Sequence, residues 1–227
     1  MVSLVDTYRS IVDAIDLKVI PKSYVGTRVY TCDTKHLTIN KIVKDSNGDE
    51  WRVVDIAIDE WVELSSLSGL MAFSADYILA PKPLFLHGTA PSVNSEYLQI
   101  SPMTREKTPF IWLLSGYKEI EHGKLSLIAI EASTKLFFMD ETDERQWLND
   151  EHLAYSLKPM RKLADLFVKT IQKDLRFPLI EKWELTDRAR FGVGVVNKGN
   201  SSKIIDEDLS GTQLDISVKI YKGNCKC

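Results

Sequence analysis

Over residues 212–221, Leu214, Ile216, Val218 and Ile220 alternate with Gln213, Asp215, Ser217 and Lys219. Successive strand side chains point to opposite faces, so this pattern predicts a strand with one buried face and one wet face. Near the start of the sequence the period is helical instead. Leu4, Val5, Tyr8, Ile11, Val12 and Ile15 recur at spacings of three and four. They follow Ser3 and Asp6, a side-chain cap with an acidic residue in the first turn. A helix is predicted over residues 3–16, bounded by Pro21, with its apolar stripe turned to a core.

From Tyr24 to about Ala80 the period falls to two. Residues 38–44 and 51–59 flank Asp45-Ser46-Asn47-Gly48, a hairpin signal because Asn and Gly both tolerate positive φ. Val54, Ile56 and Ile58 alternate with Asp55, Ala57 and Asp59, which predicts that the first three share a buried face; Trp61 and Leu64 continue the set. Tyr77, Ile78 and Leu79 stop at Pro81 and Pro83, which forbid a continuing central strand. Together these residues predict a small all-β module.

Residues 81–109 carry Pro81, Pro83, Pro91, Pro102 and Pro109, interspersed with Gly88, Thr89, Ser92, Asn94 and Ser95. The stretch is long for a connection. It is also too apolar for plain disorder, because Phe85, Leu86, Tyr97, Leu98 and Ile100 interrupt it. An extended proline-rich arm satisfies both facts and makes those five residues the candidate oligomer interface. An ordered surface excursion on its own domain is the alternative.

Beyond it, Phe110 to Leu114 is a continuous apolar run of the kind found in strands buried on both faces. Residues 125–139 predict a second strand, with Ile128, Ile130, Ala132, Thr134, Leu136 and Phe138 on one side. The acidic residues from Asp140 to Glu144 predict a solvated turn. Leu153, Leu157, Met160, Ala164, Phe167 and Ile171 keep helical phase over about 149–174, so Pro159 kinks one helix rather than dividing two. Strands are predicted over 179–185 and 188–196, a turn at 197–200, and the final strand after Gly211. The fold class is α+β: a mixed or antiparallel sheet with an N-terminal helix and one long kinked helix, plus the all-β module and the arm. In domain terms, residues 1–20 and 106–227 form a core into which 21–80 is inserted, with 81–105 as the arm.

Composition is ordinary for a globular chain: 227 residues, 44% hydrophobic and 27% charged, enough to bury a core without disulfides or metal. With 29 basic and 32 acidic residues the formal net charge is −3, too near balance to attract DNA without regard to sequence. No basic stretch followed by an apolar core opens the sequence, and no run approaches a membrane span, which predicts synthesis in the cytoplasm and no membrane partner. The odd cysteines, Cys32, Cys225 and Cys227, predict a reducing compartment.

Candidate chemistry is thin. Gly192 and Gly194 form a G-x-G flanked by strand residues, where a phosphate loop needs a third glycine and a following helix. Cys32, His36, Cys225 and Cys227 are a conceivable zinc set, but its halves lie far apart in sequence and one sits at a terminus. His36, His87, His122 and His152 occupy unrelated segments, with no nucleophile motif beside them. The carboxylate pairs Asp140 with Asp143 and Asp206 with Asp208 fall in hydrophilic stretches, which do not raise a carboxyl pKa. Lys182, Arg188, Arg190, Lys198 and Lys203, with Trp183 and Phe191 between, could stack single-stranded nucleic acid, but Glu181, Glu184 and Asp187 offset the charge. No catalytic, cofactor-binding or metal-binding residue is assigned.

Three stretches have a more particular wording. They are Val25-Gly26-Thr27 through Cys32-Asp33-Thr34-Lys35-His36, Thr108-Pro109-Phe110-Ile111-Trp112-Leu113-Leu114, and Asp208-Leu209-Ser210-Gly211. Together with the order of elements they resemble structural ring proteins of crAss-like tailed bacteriophages, in the manner of head-completion and tail-terminator subunits. The resemblance implies a virion structural protein of the neck or tail, not an enzyme and without a cofactor. It implies a homo-oligomeric ring, sixfold or twelvefold, that joins portal to tail. Neighbouring ring, portal or tail proteins would be its partners, and genomic DNA would pass through without specific binding. A small enzyme with a dispersed acidic site and a nucleic-acid-binding module are the alternatives.

Overall fold

The computed structural model describes residues 3–100, 107–124, 127–142, 149–177, 180–191 and 208–221. Helix α1 (Leu4–Asp13) starts at Ser3, whose hydroxyl accepts the Asp6 amide at 3.0 Å, and it buries Leu4, Tyr8, Ile11 and Val12. Strands β1 (Lys18–Val19), β2 (Ser23–Val25), β3 (Arg28–Tyr30), β4 (Ile42–Asp45), β5 (Glu50–Ala57), β6 (Trp61–Ser66) and β7 (Ile78–Leu79) form an antiparallel sheet. Its order is β1-β7-β4-β5-β6-β3-β2. A flat sheet of that order would hold its end strands about 29 Å apart, six spacings of about 4.8 Å. Val19 and Ser23 can span only about 14 Å. The sheet therefore curls, and Val19, Val29, Val43, Trp51, Val53, Val62, Leu64, Phe73 and Ile78 fill its inside.

The predicted Asn-Gly hairpin joins β4 and β5, with Gly48 at φ +90°. Asp45, buried behind it, accepts the Asn47 and Asp49 amides and the Trp51 indole N–H. On β5 the predicted facing fails at Val54, which is exposed while Trp51 and Val53 are buried, and holds at Ile56, which packs against the same core. A bulge between Val53 and Asp55 shifts the pairing with β6, so the alternation does not run through unbroken.

The second sheet contains β8 (Leu84–Gly88), β9 (Phe110–Leu114), β10 (Lys118–Lys124), β11 (Leu127–Glu141), β12 (Ile180–Phe191) and β13 (Leu209–Tyr221). The order is β12-β13-β11-β9-β8, with β10 also on β11. Residues 81–109 are not an extended arm. They supply β8, which pairs in parallel with β9, and helix α2 (Ala90–Gln99) between the two. Three of the prolines stand at starts of elements: Pro83 and Pro109 immediately precede β8 and β9, and Pro91 sits in the first turn of α2, where no intrahelical amide is needed, while Pro102 lies outside the described residues.

Helix α3 (Asn149–His152), a π-helical segment (Leu153–Leu157) and helix α4 (Lys158–Lys173) run on as one helix, as the unbroken stripe predicts. The irregularity falls in the turn before Pro159, the residue that cannot donate to it. Widening that turn rotates Leu153 out of the stripe to the surface, whereas Leu157, Met160, Ala164, Phe167 and Ile171 stay buried. These pack with α1 on one face of the sheet, against Ile111, Leu113, Ala132, Leu136, Phe138, Leu214, Ile216 and Val218. Helix α2 covers part of the other face, over Leu86, Phe110, Trp112, Phe137, Met139 and Leu209. That is why the β9 run is apolar throughout.

One expectation at this end of the chain changes. The break predicted between strands 179–185 and 188–196 is absent: β12 runs unbroken from Ile180 to Phe191, with residues 179 and 192–196 outside the described residues, because Asp187 and Arg188 find partners, Asp187 in Arg161 of α4 and Arg188 in Gln213 of β13. The final strand lies between β11 and β12, with its apolar side inward as predicted. Gly211 pairs with Met139, and a Cβ there would lie 1.9 Å from the Phe138 carbonyl oxygen. Gly211→Ala is expected to cost about 3 kcal/mol in urea denaturation through this backbone clash; a loss under about 1 kcal/mol would contradict the close packing of β13 on β11.

A buried polar joint and the surfaces it orients

The chain between β3 and β4 has no strand or helix of its own. It is where the two sheets meet. Lys41 reaches from it to the second sheet, with Nζ 2.8 Å from Asp140 Oδ1, 2.5 Å from Thr108 Oγ1 and 3.3 Å from the Thr108 carbonyl oxygen. An ammonium has three protons to donate, and these contacts use all of them. Asp140 is 2% exposed, and its other oxygen accepts the Thr38 hydroxyl at 2.8 Å while Oδ1 also takes the Glu141 amide. Asp140 is thus satisfied within the interior, while the Lys41 side chain stays 14% exposed, so that only the carboxylate is fully desolvated.

His36, 1% exposed, lies in the same segment, with Nε2 2.8 Å from the Pro81 carbonyl oxygen. A carbonyl only accepts, so Nε2 carries the proton and Nδ1 is left bare, with no hydrogen-bond partner among the described residues. Burial pushes the imidazole down to about 4, against the opposing pull of the Pro81 carbonyl and Asp140 and with help from Lys41 and Lys35. A second seam runs along α4, where Lys162 binds Asp59 and approaches Asp33 at 3.8 Å. Asp59 also accepts the Thr34 amide, and Lys35 bridges Asp33 and Asp16.

The residues singled out from the sequence are distributed differently from expectation. Of the candidate interface set, Leu86 and Tyr97 are buried in the chain's own core, Phe85 and Ile100 pack against core clusters, and Leu98 alone is exposed. The burial of Tyr97 follows from helix α2, on which it points back onto Phe110 with ring centroids 5.3 Å apart. The final strand has a neighbour on each side, β11 and β12. Asp140 is not in a solvated turn but on β11, facing the joint. Asp143 and Asp206 lie outside the described residues, as do Gly192, Gly194, Lys198, Lys203, Cys225 and Cys227. Cys32 is exposed while His36 is buried and committed to Pro81. Among the described residues no group of three or more His, Cys, Asp or Glu could hold a metal ion, and no helix is long and apolar enough to cross a membrane. Phe191, a candidate stacking residue, packs inward on Trp112 and Phe137.

Two surfaces remain that sequence reasoning did not identify. On the first sheet, Tyr24, Val25, Leu70 and Met71 are exposed, Met71 by 92%, and the Phe73 amide on Gly26 ties their two segments together. On the second, β12 is the outermost of the described strands beside β13 and exposes Trp183. A shallow depression of about 240 Å³ adjoins it, lined by Ser133, Lys135, Lys182, Glu184, Asp215 and Ser217.

The His36 geometry sets a pH response. A folded pKa near 4 against about 6.5 unfolded means the unfolded chain binds more protons between those values, so stability rises with pH there and is lost as pH falls from about 6.5 to 4. This residue's share is about 3 kcal/mol. His36→Gln retains a donor for Pro81 and is expected to remove that share in urea melts across the window; an unchanged slope would show that His36 titrates freely in the fold.

No protein family, curated protein or solved structure matches the chain.

Proposed function

We propose that this protein is a virion structural subunit that closes into a ring in the neck or tail of a tailed phage. It would join portal to tail and surround the DNA passage. The observation that carries the reading is an exposed apolar patch, Tyr24, Val25 and Met71, on the first sheet of a jointed body. Ring closure requires a heterologous contact, in which a surface of one subunit meets a different surface of the next. A firm joint between the sheets fixes the direction in which that patch faces, and that direction sets the number of subunits.

The phage-like wording of the sequence supports the same reading by its location. Thr34, Lys35 and His36 lie in the joint, Thr108 holds Lys41, and Leu209 and Ser210 pair with Glu141 and Asp140. All three stretches therefore serve the geometry of the body. The weakly acidic charge suits a passage that DNA must leave without sticking. Mass photometry across a concentration series, followed by negative-stain imaging, is expected to show a discrete species of six or twelve subunits with a central hole. A protein that remains at one or two chains at every concentration would contradict self-closing assembly.

A further inference from the structure

We infer that β12 is a self-pairing edge: two copies of this chain add to one another antiparallel through it, about a two-fold axis at Trp183, and fuse their second sheets. This goes beyond ring closure, because an isologous contact is not one that propagates a ring.

Four observations carry it. First, β12 is 12 residues long, and among the described residues no strand pairs with its outer edge. An uncovered edge of that length is a row of backbone donors and acceptors ready for another strand. Second, the stretch from Lys182 to Arg188 pairs regularly with β13, and both irregularities lie outside it, at Ile180/Lys182 and Arg188/Phe191. No bulge or proline interrupts that stretch, and its exposed charges, Lys182 and Glu184, guard it against strands of unmatched charge but not against a complementary one. Third, Trp183 is 40% exposed near the start of this edge, where a pair centred on it would align Ile180 to Thr186 of the two copies; it stands opposite Ile216 and hence on the side of the sheet that α1 and α4 cover. A symmetry-related Trp183 would give it an aromatic cross-strand neighbour and remove both rings from water.

The fourth observation chooses the partner and the register. In an antiparallel pair centred on Trp183, Lys182 of each copy stands opposite Glu184 of the other, giving two opposite-charge pairs on the wet face, where both side chains are exposed. The neighbouring registers are penalised. Centring one residue earlier or later sets Lys182 against Lys182 or Glu184 against Glu184, and centring on Leu185 sets Lys182 against Arg188. One register alone puts like charges apart and the tryptophans together. The edge is therefore complementary to itself.

The test is charge reversal, read by sedimentation velocity and mass photometry of the full chain. Wild type is expected to show a two-chain species that grows with concentration. Lys182→Glu and Glu184→Lys are each expected to weaken it by about tenfold or more, because two attractive pairs become repulsive. An equimolar mixture of these two variants is expected to restore pairing as a heterodimer, since every cross-strand pair is again of opposite sign. Circular dichroism identical to wild type would confirm that the exposed substitutions leave the fold intact. Absence of any two-chain step in wild type, single variants that pair as well as wild type, or a mixture that fails to recover would each overturn the inference. Ring closure stands or falls separately, on whether six or twelve chains assemble.

Discussion

The Lys41–Asp140 pair is the constraint on which the arrangement of the molecule depends. The two sheets have separate apolar cores, one inside the curled sheet and one between the second sheet and its helices. Leu17, packed against both, is a slender apolar bridge between them. What fixes one core relative to the other is largely polar: Lys41 with Asp140 and Thr108, Thr38 with Asp140, His36 with Pro81, and Lys162 with Asp59. Apolar contacts tolerate sliding, because burial depends on area rather than direction. An ammonium held by both Asp140 and Thr108 favours one geometry, and displacing it strands the buried Asp140 carboxylate without its counter-charge.

That directionality links the fold to assembly. Each sheet presents its own adhesive feature, an exposed apolar patch in one case and an open strand edge in the other. If the sheets moved independently, those features would define no fixed angle, and association would yield a distribution of sizes. With the joint in place, contacts made through either sheet inherit a single orientation. The chemistry of the joint is thus used for geometry, which fits the burial of the His36 imidazole and the Asp140 carboxylate.

Much of the fold was legible in the sequence, because patterns that depend on one face being buried survive in any tertiary setting. The α1 stripe, the Asn-Gly hairpin, the apolar β9 run, the long helix through Pro159 and the inward apolar side of β13 appear as expected, although Gln213 on the predicted wet side is buried. The failures share a cause: composition was taken as local when its meaning was tertiary. Prolines near 81–109 marked the starts of α2 and β9 rather than an arm. Asp140 resembled the first residue of a solvated turn, and only the distant Lys41 makes it a buried strand residue. Asp187 and Arg188 resembled a break in β12 until Arg161 and Gln213 supplied partners. The edge of β12 could not be anticipated at all, because whether a strand is central or outermost is a property of the sheet order.

The most direct test of the joint is urea unfolding of wild type and Lys41→Met, followed by hydrogen exchange so that each sheet reports separately. Removing the ammonium leaves Asp140 buried without its counter-charge, which is expected to cost about 3–5 kcal/mol. The first-sheet strands Glu50–Ala57 and Trp61–Ser66 should then lose protection at a different urea concentration from β11 and β13. Adding Asp140→Leu should recover most of the stability, because the stranded charge is gone. A loss below about 1 kcal/mol, with both sheets still opening together, would show that the ion pair does not hold the sheets in place.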